Sequence, residues 1–192
     1  MDLLHRFIFS NTPIRGRIVQ LSRSYVEALQ HQELTVEGSN LLGEALAAVS
    51  LVADSLKFDG SVTLQAQGQG KISKLVAECH GSHLIRGLAT NNEKAEPSGE
   101  ESDNISLISG NQLAISLLPK DSKQMQPYQG IVELKKEGLA ESLSAYFKSS
   151  EQLLTSFVLT CLDGKSAGLF LQKLPTSEET SSLNDDFDET WN

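Results

Sequence analysis

NLLGEALAAVSLVADSLKF (residues 40–58), followed at once by DGS (59–61) and VTLQAQGQG (62–70), is the stretch whose reading decides the fold. On a helix at about 100° per residue, Leu42, Leu46, Val49, Val52 and Leu56 sweep an arc of roughly 120°. Asn40, Glu44, Ser50, Asp54 and Ser55 gather on the other side, but so do Gly43, Ala47 and, near its middle, Leu51. A solvated face would carry more charge and fewer small or apolar residues, so the pattern predicts a helix buried on nearly all sides. The bland alternative is a one-sided helix with a wide apolar stripe. Because the helix runs directly into an alternating strand and has small residues on its back, it suits a sandwich with sheet above and below.

The rest of the chain bounds this reading. At 192 residues, one substantial core is the default, with burial of about 70% of the unfolded surface. Composition is ordinary for a soluble protein, no apolar run reaches the ~20 residues of a membrane span, and the start MDLLHRFIFS lacks the long apolar centre of a secretory signal. The expectation is a cytoplasmic protein with no membrane partner. The net charge of -9 argues against nucleic acid as a partner, since phosphate binding draws on clustered Lys and Arg. Much of the acid lies in NNEKAEPSGEESDN (91–104) and TSEETSSLNDDFDETWN (176–192), and the remainder is close to neutral. Cys79 and Cys161 are far apart and form no Cys-x-x-Cys pair, which indicates reduced, structural thiols rather than a disulfide framework or a zinc site.

Working outward, HRFIFS (5–10) and RIVQL (17–21) read as strands on either side of a turn at Asn11-Thr12-Pro13. Ser22 or Ser24 can cap a short helix to Gln30, with Ser24 and Glu27 at capping-box spacing and Tyr25, Val26 and Leu29 on its buried side. Residues 31–38 break the pattern before the central helix. After it, Val62, Leu64 and Ala66 alternate with Thr63, Gln65 and Gln67, as in a strand with one covered face. Strands over 72–79 and 83–90 follow around a turn at Gly81-Ser82, giving a meander, and 105–108 and 113–118 resume the pattern around Gly110-Asn111. Residues 121–127 read as a polar loop and 129–134 as a strand. Beyond Gly138, Leu139, Leu143, Tyr146 and Phe147 keep the i, i+4, i+7, i+8 spacing of an amphipathic helix. A hairpin, 156–161 and 167–174 with its turn at Asp163-Gly164, closes the pattern. Clustered strands outnumber helices, so the class is α+β, mainly antiparallel sheet in a β/α/β layered arrangement around a buried helix.

Few residues carry chemistry. Gly68-x-Gly70 lacks the third glycine of a phosphate loop and precedes a strand rather than a helix. Cys79 with His80 or His83 could be a thiol with an imidazole base, or metal ligands, which leaves a small cysteine-dependent hydrolase or transferase as an alternative function. Against it, Cys79 alternates in phase with Leu75 and Ala77 and so faces the core as a small hydrophobe. Cys161 ends an apolar strand and reads the same way. Arg15-Gly16, Arg86-Gly87 and Asp59-Gly60 read as polar turns that glycine explains without a ligand. The face formed by Thr63, Gln65 and Gln67 is polar and almost uncharged, a surface that a partner segment could cover or that water simply solvates.

Taken in order, these segments resemble the N-terminal core domain of the Hsp33 family of redox-regulated chaperones. The resemblance opens with Leu4-His5-Arg6, Asn11 and Arg15-Gly16, continues through residues 41–70 and Arg86-Gly87-Leu88-Ala89, and is most specific at Tyr128-Gln129-Gly130-Ile131-Val132 and Tyr146-Phe147-x-x-Ser150-Glu151-Gln152-Leu153, followed by LFLQKLP (169–175). It implies a helix between two sheet layers and an ATP-independent holdase, not an enzyme, that binds unfolding client proteins in the stress response. It also implies a homodimer. Residues 1–175 would be the chaperone core, and 176–192, with Asp185-Asp186-Phe187-Asp188, the acidic, disordered start of a linker. The family's switch is a C-terminal zinc domain with Cys-x-Cys and Cys-x-x-Cys motifs. Neither motif occurs in these 192 residues, so the resemblance gives this chain no zinc, no other cofactor, no catalytic or metal residues and no redox role for Cys79 or Cys161. A purely structural dimerisation module is the third reading.

Overall fold

The computed structural model describes residues 1–56, 59–81, 84–93, 107–109, 112–121 and 126–175. In chain order the elements are β1 Leu3–Ile8, β2 Ile14–Leu21, α1 Arg23–Leu29, α2 Val36–Ser55, β3 Gly60–Gln67, β4 Ile72–His80, β5 Leu84–Asn91, β6 Gln112–Pro119, β7 Tyr128–Glu133, α3 Leu139–Ser150, β8 Thr155–Leu162 and β9 Lys165–Lys173. They form two antiparallel sheets, one of four strands in the order β1-β2-β9-β8 and one of five in the order β5-β4-β3-β6-β7. The class is α+β, as the strand-rich pattern predicts.

Helix α2 lies between the sheets and packs on strands of both. Leu42, Leu46, Val49, Ala47 and Leu51 have no measurable exposure, so the apolar arc and the small-residue back are both covered and the one-sided alternative fails; Leu56, read as the end of that arc, lies just past the helix and is only half-buried. Glycines set how close the layers come. A Cβ at Gly87 of β5 would lie 2.8 Å from Leu42 Cδ1, and one at Gly168 of β9 would lie 2.8 Å from Leu51 Cδ1. The Leu42 side of the wheel thus meets the five-stranded sheet and the Ala47 and Leu51 side the four-stranded one. By length and apolar composition α2 would also pass as a membrane span, contrary to the expectation that no such run exists, but its sides are occupied by protein.

The helix begins at Val36, inside the stretch read as a break. Thr35 caps it, its Oγ1 accepting the Gly38 N–H at 3.1 Å. In α1 the expected capping box is not formed. Asp2, from the first residues of the chain, accepts instead from the N–H groups of Ser22, Arg23 and Ser24 and from the Ser24 hydroxyl, while Glu27 pairs with Arg23. Val26, expected to be buried, is 50% exposed, because the seven-residue helix turns only Tyr25 fully inward.

In the five-stranded sheet β6 pairs with β3 rather than β5, so the meander ends at β5 and the chain crosses back to the other edge of β3. Leu107 and Ile108 form a buried turn, not a strand: Leu107 accepts from the Ile72 N–H and Ile108 from the Gly70 N–H. The rest of that expected strand (105–106), Ser82 and His83, Gly110-Asn111, most of each acidic stretch (94–104 and 176–192) and residues 122–125 of the polar loop lie outside the described residues. Helix α3 buries Leu139, Leu143, Tyr146 and Phe147, as its spacing predicts, with the Phe147 ring 5.5 Å from Phe157 and that ring 5.2 Å from Phe170. The β8–β9 turn takes positive φ at Asp163 (50°) and Gly164 (72°), matching the hairpin signal of that dipeptide.

Candidate functional site

The enzyme alternative depends on the two thiols. Cys79 stands opposite Val62 and Ile85 on the helix-facing side of β4 and is 1% exposed. Burial, and then the charges of Asp54 and Glu78, push its thiol up to about 11, so it is no thiolate nucleophile near neutral pH. His80 is the next residue on the same strand and therefore points to the opposite face of the sheet. Cys161 is on the inner face of β8, against Gly43 and Tyr25, with its thiol also raised chiefly by burial. The two cysteines belong to different sheets with α2 between them. Among the described residues, no three or more His, Cys, Asp or Glu side chains converge to hold a metal ion. Iodoacetamide should therefore modify both cysteines of the native chain at least ~1,000-fold more slowly than in denaturant, since access requires opening the core. Rapid native labelling of Cys79 would revive the thiol-enzyme reading.

The glycine pairs have packing explanations, and two are not turns. Arg15-Gly16 lies within β2, where Phe7 of β1 stacks over Gly16 and a Cβ would collide with the ring. Arg86-Gly87 lies within β5, where Arg86 pairs with Glu78 at 2.7 Å and Gly87 makes room for α2. Gly68 is pressed against the Ile108 carbonyl, which leaves no cradle for a phosphate.

What remains is the outer face of each sheet. On the five-stranded sheet, cross-strand register places Arg86, Glu78, Thr63, Ser116 and Gln129 in one row and Leu88, Val76, Gln65, Ala114 and Ile131 in the next. The first row is polar, with Glu78 salt-bridged to Arg86, and the second has Gln65 at its centre but exposed Leu88 (45%) and Ile131 (53%) on its edge strands. On the four-stranded sheet the central strands themselves carry the apolar residues. The outer rows there are His5, Ile18, Leu169, Val158 and Phe7, Gly16, Leu171, Ser156. Ile18 is 46% exposed, Val158 56% and Phe7 38%, with Leu169 and Leu171 half-buried among them. This is a contiguous apolar face without helix cover among the described residues. The glutamine face drew attention in the sequence; the apolar one was missed, although its signal is there. Phe157-Val158-Leu159 and Leu169-Phe170-Leu171 are apolar on both sides of the strand, where a sheet with one wet face would alternate.

Comparison with known proteins agrees with this architecture. The family model described as Hsp33 protein matches residues 2–190. The 33 kDa chaperonin of Ectopseudomonas mendocina is 40% identical over 191 residues, covering 100% of this chain and 62% of that protein. The 33 kDa chaperonin of Pseudomonas aeruginosa is 42% identical over 174 residues, covering 91% and 57% respectively. The chain thus spans about 60% of the length of these curated relatives. The crystal structure of the 33 kDa chaperonin (heat shock protein 33 homolog) of Thermotoga maritima superposes with a TM-score of 0.75 at 23% identity, over 97% of this chain and 66% of that one, a likeness of fold. With its central helix held between two sheets and the family match running almost from end to end, the chain belongs to the Hsp33 family.

Proposed function

We propose that this chain is the substrate-handling core of an Hsp33-type holdase, which binds unfolding proteins without ATP and keeps them from aggregating. The observation that carries the reading is the apolar outer face of the four-stranded sheet, which no described element covers. Contiguous apolar surface of that kind is unusual on a folded monomer and offers a non-native chain a place to bury its own apolar side chains. Each half-exposed Ile, Val or Phe covered in this way contributes about 1 kcal/mol, so affinity is gained without a directional contact or a sequence motif. The task needs no catalytic residue and no cofactor.

In this reading residues 1–175 form the core and 176–192 the beginning of a linker, the working form is a homodimer, and the setting is the cytoplasmic stress response with neither nucleic acid nor membrane as partner. The family's zinc switch plays no part in these 192 residues. Cys79 and Cys161, being buried, supply no substitute, so activity should be the same in dithiothreitol and after peroxide.

Light scattering from chemically unfolded citrate synthase tests the reading. Ile18→Asp with Val158→Asp should raise the amount of chain needed to suppress aggregation at least ~5-fold, while stability stays within about 1 kcal/mol, as expected for two exposed positions. Thr63→Asp with Gln65→Asp on the other outer face should change little. If the Ile18 and Val158 variant protects the client as well as wild type, the docking face is wrongly assigned.

A further inference from the structure

Successive residues of an antiparallel strand send their backbone groups to opposite edges, so one hydrogen bond fixes the alternation along the whole strand. The Phe9 N–H donates to the Ile14 carbonyl at 3.1 Å, in step with the β1–β2 register, which turns the backbone of Leu3, His5 and Phe7 toward β2 and that of Leu4, Arg6 and Ile8 away from it. β1 pairs with β2 alone, and among the described residues nothing bonds the N–H or C=O groups of Leu4, Arg6 and Ile8. Two other edges are met by side chains. On β5 the Gln32 amide donates to the Gly87 carbonyl at 3.0 Å and accepts from the Ala89 N–H at 2.9 Å, as a neighbouring strand would. On β8 the Phe157 N–H donates to Ser144 Oγ of α3 at 3.0 Å. The fourth edge, β7, lies in the other sheet, and a strand added to it would not adjoin the apolar rows of the four-stranded sheet. β1 also lacks the usual devices that blunt an edge: LLHRFI contains neither lysine nor proline, its register with β2 has no bulge, and its one arginine is drawn to Asp54.

The open edge borders the apolar face. Leu3 and Phe7, 40% and 38% exposed, project from β1 on the same side as Ile18 and Leu169, so the outward side chains of a strand laid along β1 would extend those rows. We infer that β1 is a strand-addition edge, on which an extended segment of a non-native client pairs its backbone with Leu4, Arg6 and Ile8 while its alternate apolar side chains lie beside Leu3 and Phe7. The inference rests on the holdase reading and adds to it how the client is held. Backbone pairing is indifferent to sequence, as the capture of many clients requires, and only chains that have lost their own pairing can supply it. A second copy of this chain fits the edge less well. The register that engages all three edge residues of both copies opposes Leu4 to Ile8 and Arg6 to Arg6, setting like charges directly across from each other. Each copy also carries a net charge of -9, which keeps two copies apart.

The test uses the full chain and the fluorescein-labelled, end-blocked peptide Thr-Val-Thr-Phe-Thr-Val-Thr, followed by fluorescence anisotropy, beside the same peptide N-methylated at every backbone amide. Methylation keeps the apolar side chains and removes the donors, so the methylated peptide should bind wild type at least ~20-fold more weakly, the size of two or more unmade backbone bonds. Ile8→Pro removes one outward N–H at a position where an edge strand tolerates proline, and Ile8→Ala trims the same side chain but keeps that donor. The unmethylated peptide should bind Ile8→Pro ~5-fold more weakly than Ile8→Ala, one backbone bond's worth, with both variants folded by circular dichroism. If Ile8→Pro does not fold, the two peptides on wild type decide alone. Equal binding of the two peptides to wild type, with aggregation suppression intact, would overturn strand addition and leave the docking face standing. So would equal binding of the unmethylated peptide to folded Ile8→Pro and Ile8→Ala, or failure of both peptides to bind wild type while suppression persists. Failure of both to bind with no suppression would remove both readings. A wild-type dimer in light scattering that Ile8→Pro, but not Ile8→Ala, dissociates would assign the edge to a second copy and also overturn the inference.

Discussion

Val49→Asp is expected to destabilise the chain by ~5 kcal/mol, a large part of the 5–15 kcal/mol that holds a domain of this size together. Val49 is fully buried on the central helix, within a core assembled from both sheets. A carboxylate there would lose its hydration and gain no partner; it would protonate instead, and even the neutral acid would leave polar atoms without hydrogen bonds. Val49→Ala removes only two methyl groups and should cost about 2–3 kcal/mol. Urea unfolding followed by circular dichroism separates the two: Val49→Ala should unfold cooperatively at lower denaturant, and Val49→Asp should have little or no folded baseline at neutral pH. A Val49→Asp chain with the wild-type midpoint would mean that the helix is not enclosed.

How much of this enclosure could be read in advance depends on which interactions are local. The positions of α2 that face each sheet follow from spacing along one helix, and so Leu42, Leu46, Gly43, Ala47 and Leu51 were legible. The same holds for Val62, Leu64 and Ala66 on β3, and for Leu139, Leu143, Tyr146 and Phe147 on α3. What stayed hidden involves partners remote in sequence. Asp2 caps a helix twenty residues away, which no capping-box pattern contains. Leu107 and Ile108 look like the end of a strand, yet their carbonyls are taken by Gly70 and Ile72, and the chain turns there. Arg15-Gly16 and Arg86-Gly87 look like turns because glycine usually marks them; in the fold these glycines admit a ring and a helix into the middle of strands. The candidate docking face stayed hidden for a related reason. Apolar residues on both sides of β8 and β9 suggest full burial, and only the sheet order reveals that nothing among the described elements covers the outer side.

Asp54→Asn should cost about 3–5 kcal/mol, nearly as much as Val49→Asp, for an electrostatic reason that sequence periodicity could not supply. The wheel placed Asp54 on the side of α2 opposite the large apolar arc, a side the pattern predicts to be covered, but periodicity names no partner for its charge. Its side chain is inaccessible to solvent, held at 2.8 Å by Arg17, itself almost buried over the Phe170 ring, and at 2.5 Å by the exposed Arg6. The asparagine would leave the Arg17 charge buried without a counterion. Burial by itself would raise the Asp54 carboxyl, but the hydrogen bonds from Arg6 and Arg17 outweigh it and hold the group below the usual carboxylate range. The sign follows: the contribution to stability is fully present above the ordinary value of 3.8 and is lost as pH falls through the lower folded-state pKa. Acid unfolding of wild type should therefore show a loss of stability at the low end of the carboxylate range that is missing from Asp54→Asn. Arg6→Ala should cost no more than about 1 kcal/mol, because that arginine is mostly in water. Replacing the pair together, Arg17→Leu with Asp54→Leu, should recover most of what Asp54→Asn loses, since it removes both desolvated charges. A double variant less stable than Asp54→Asn would show that the pair stabilises the core in its own right.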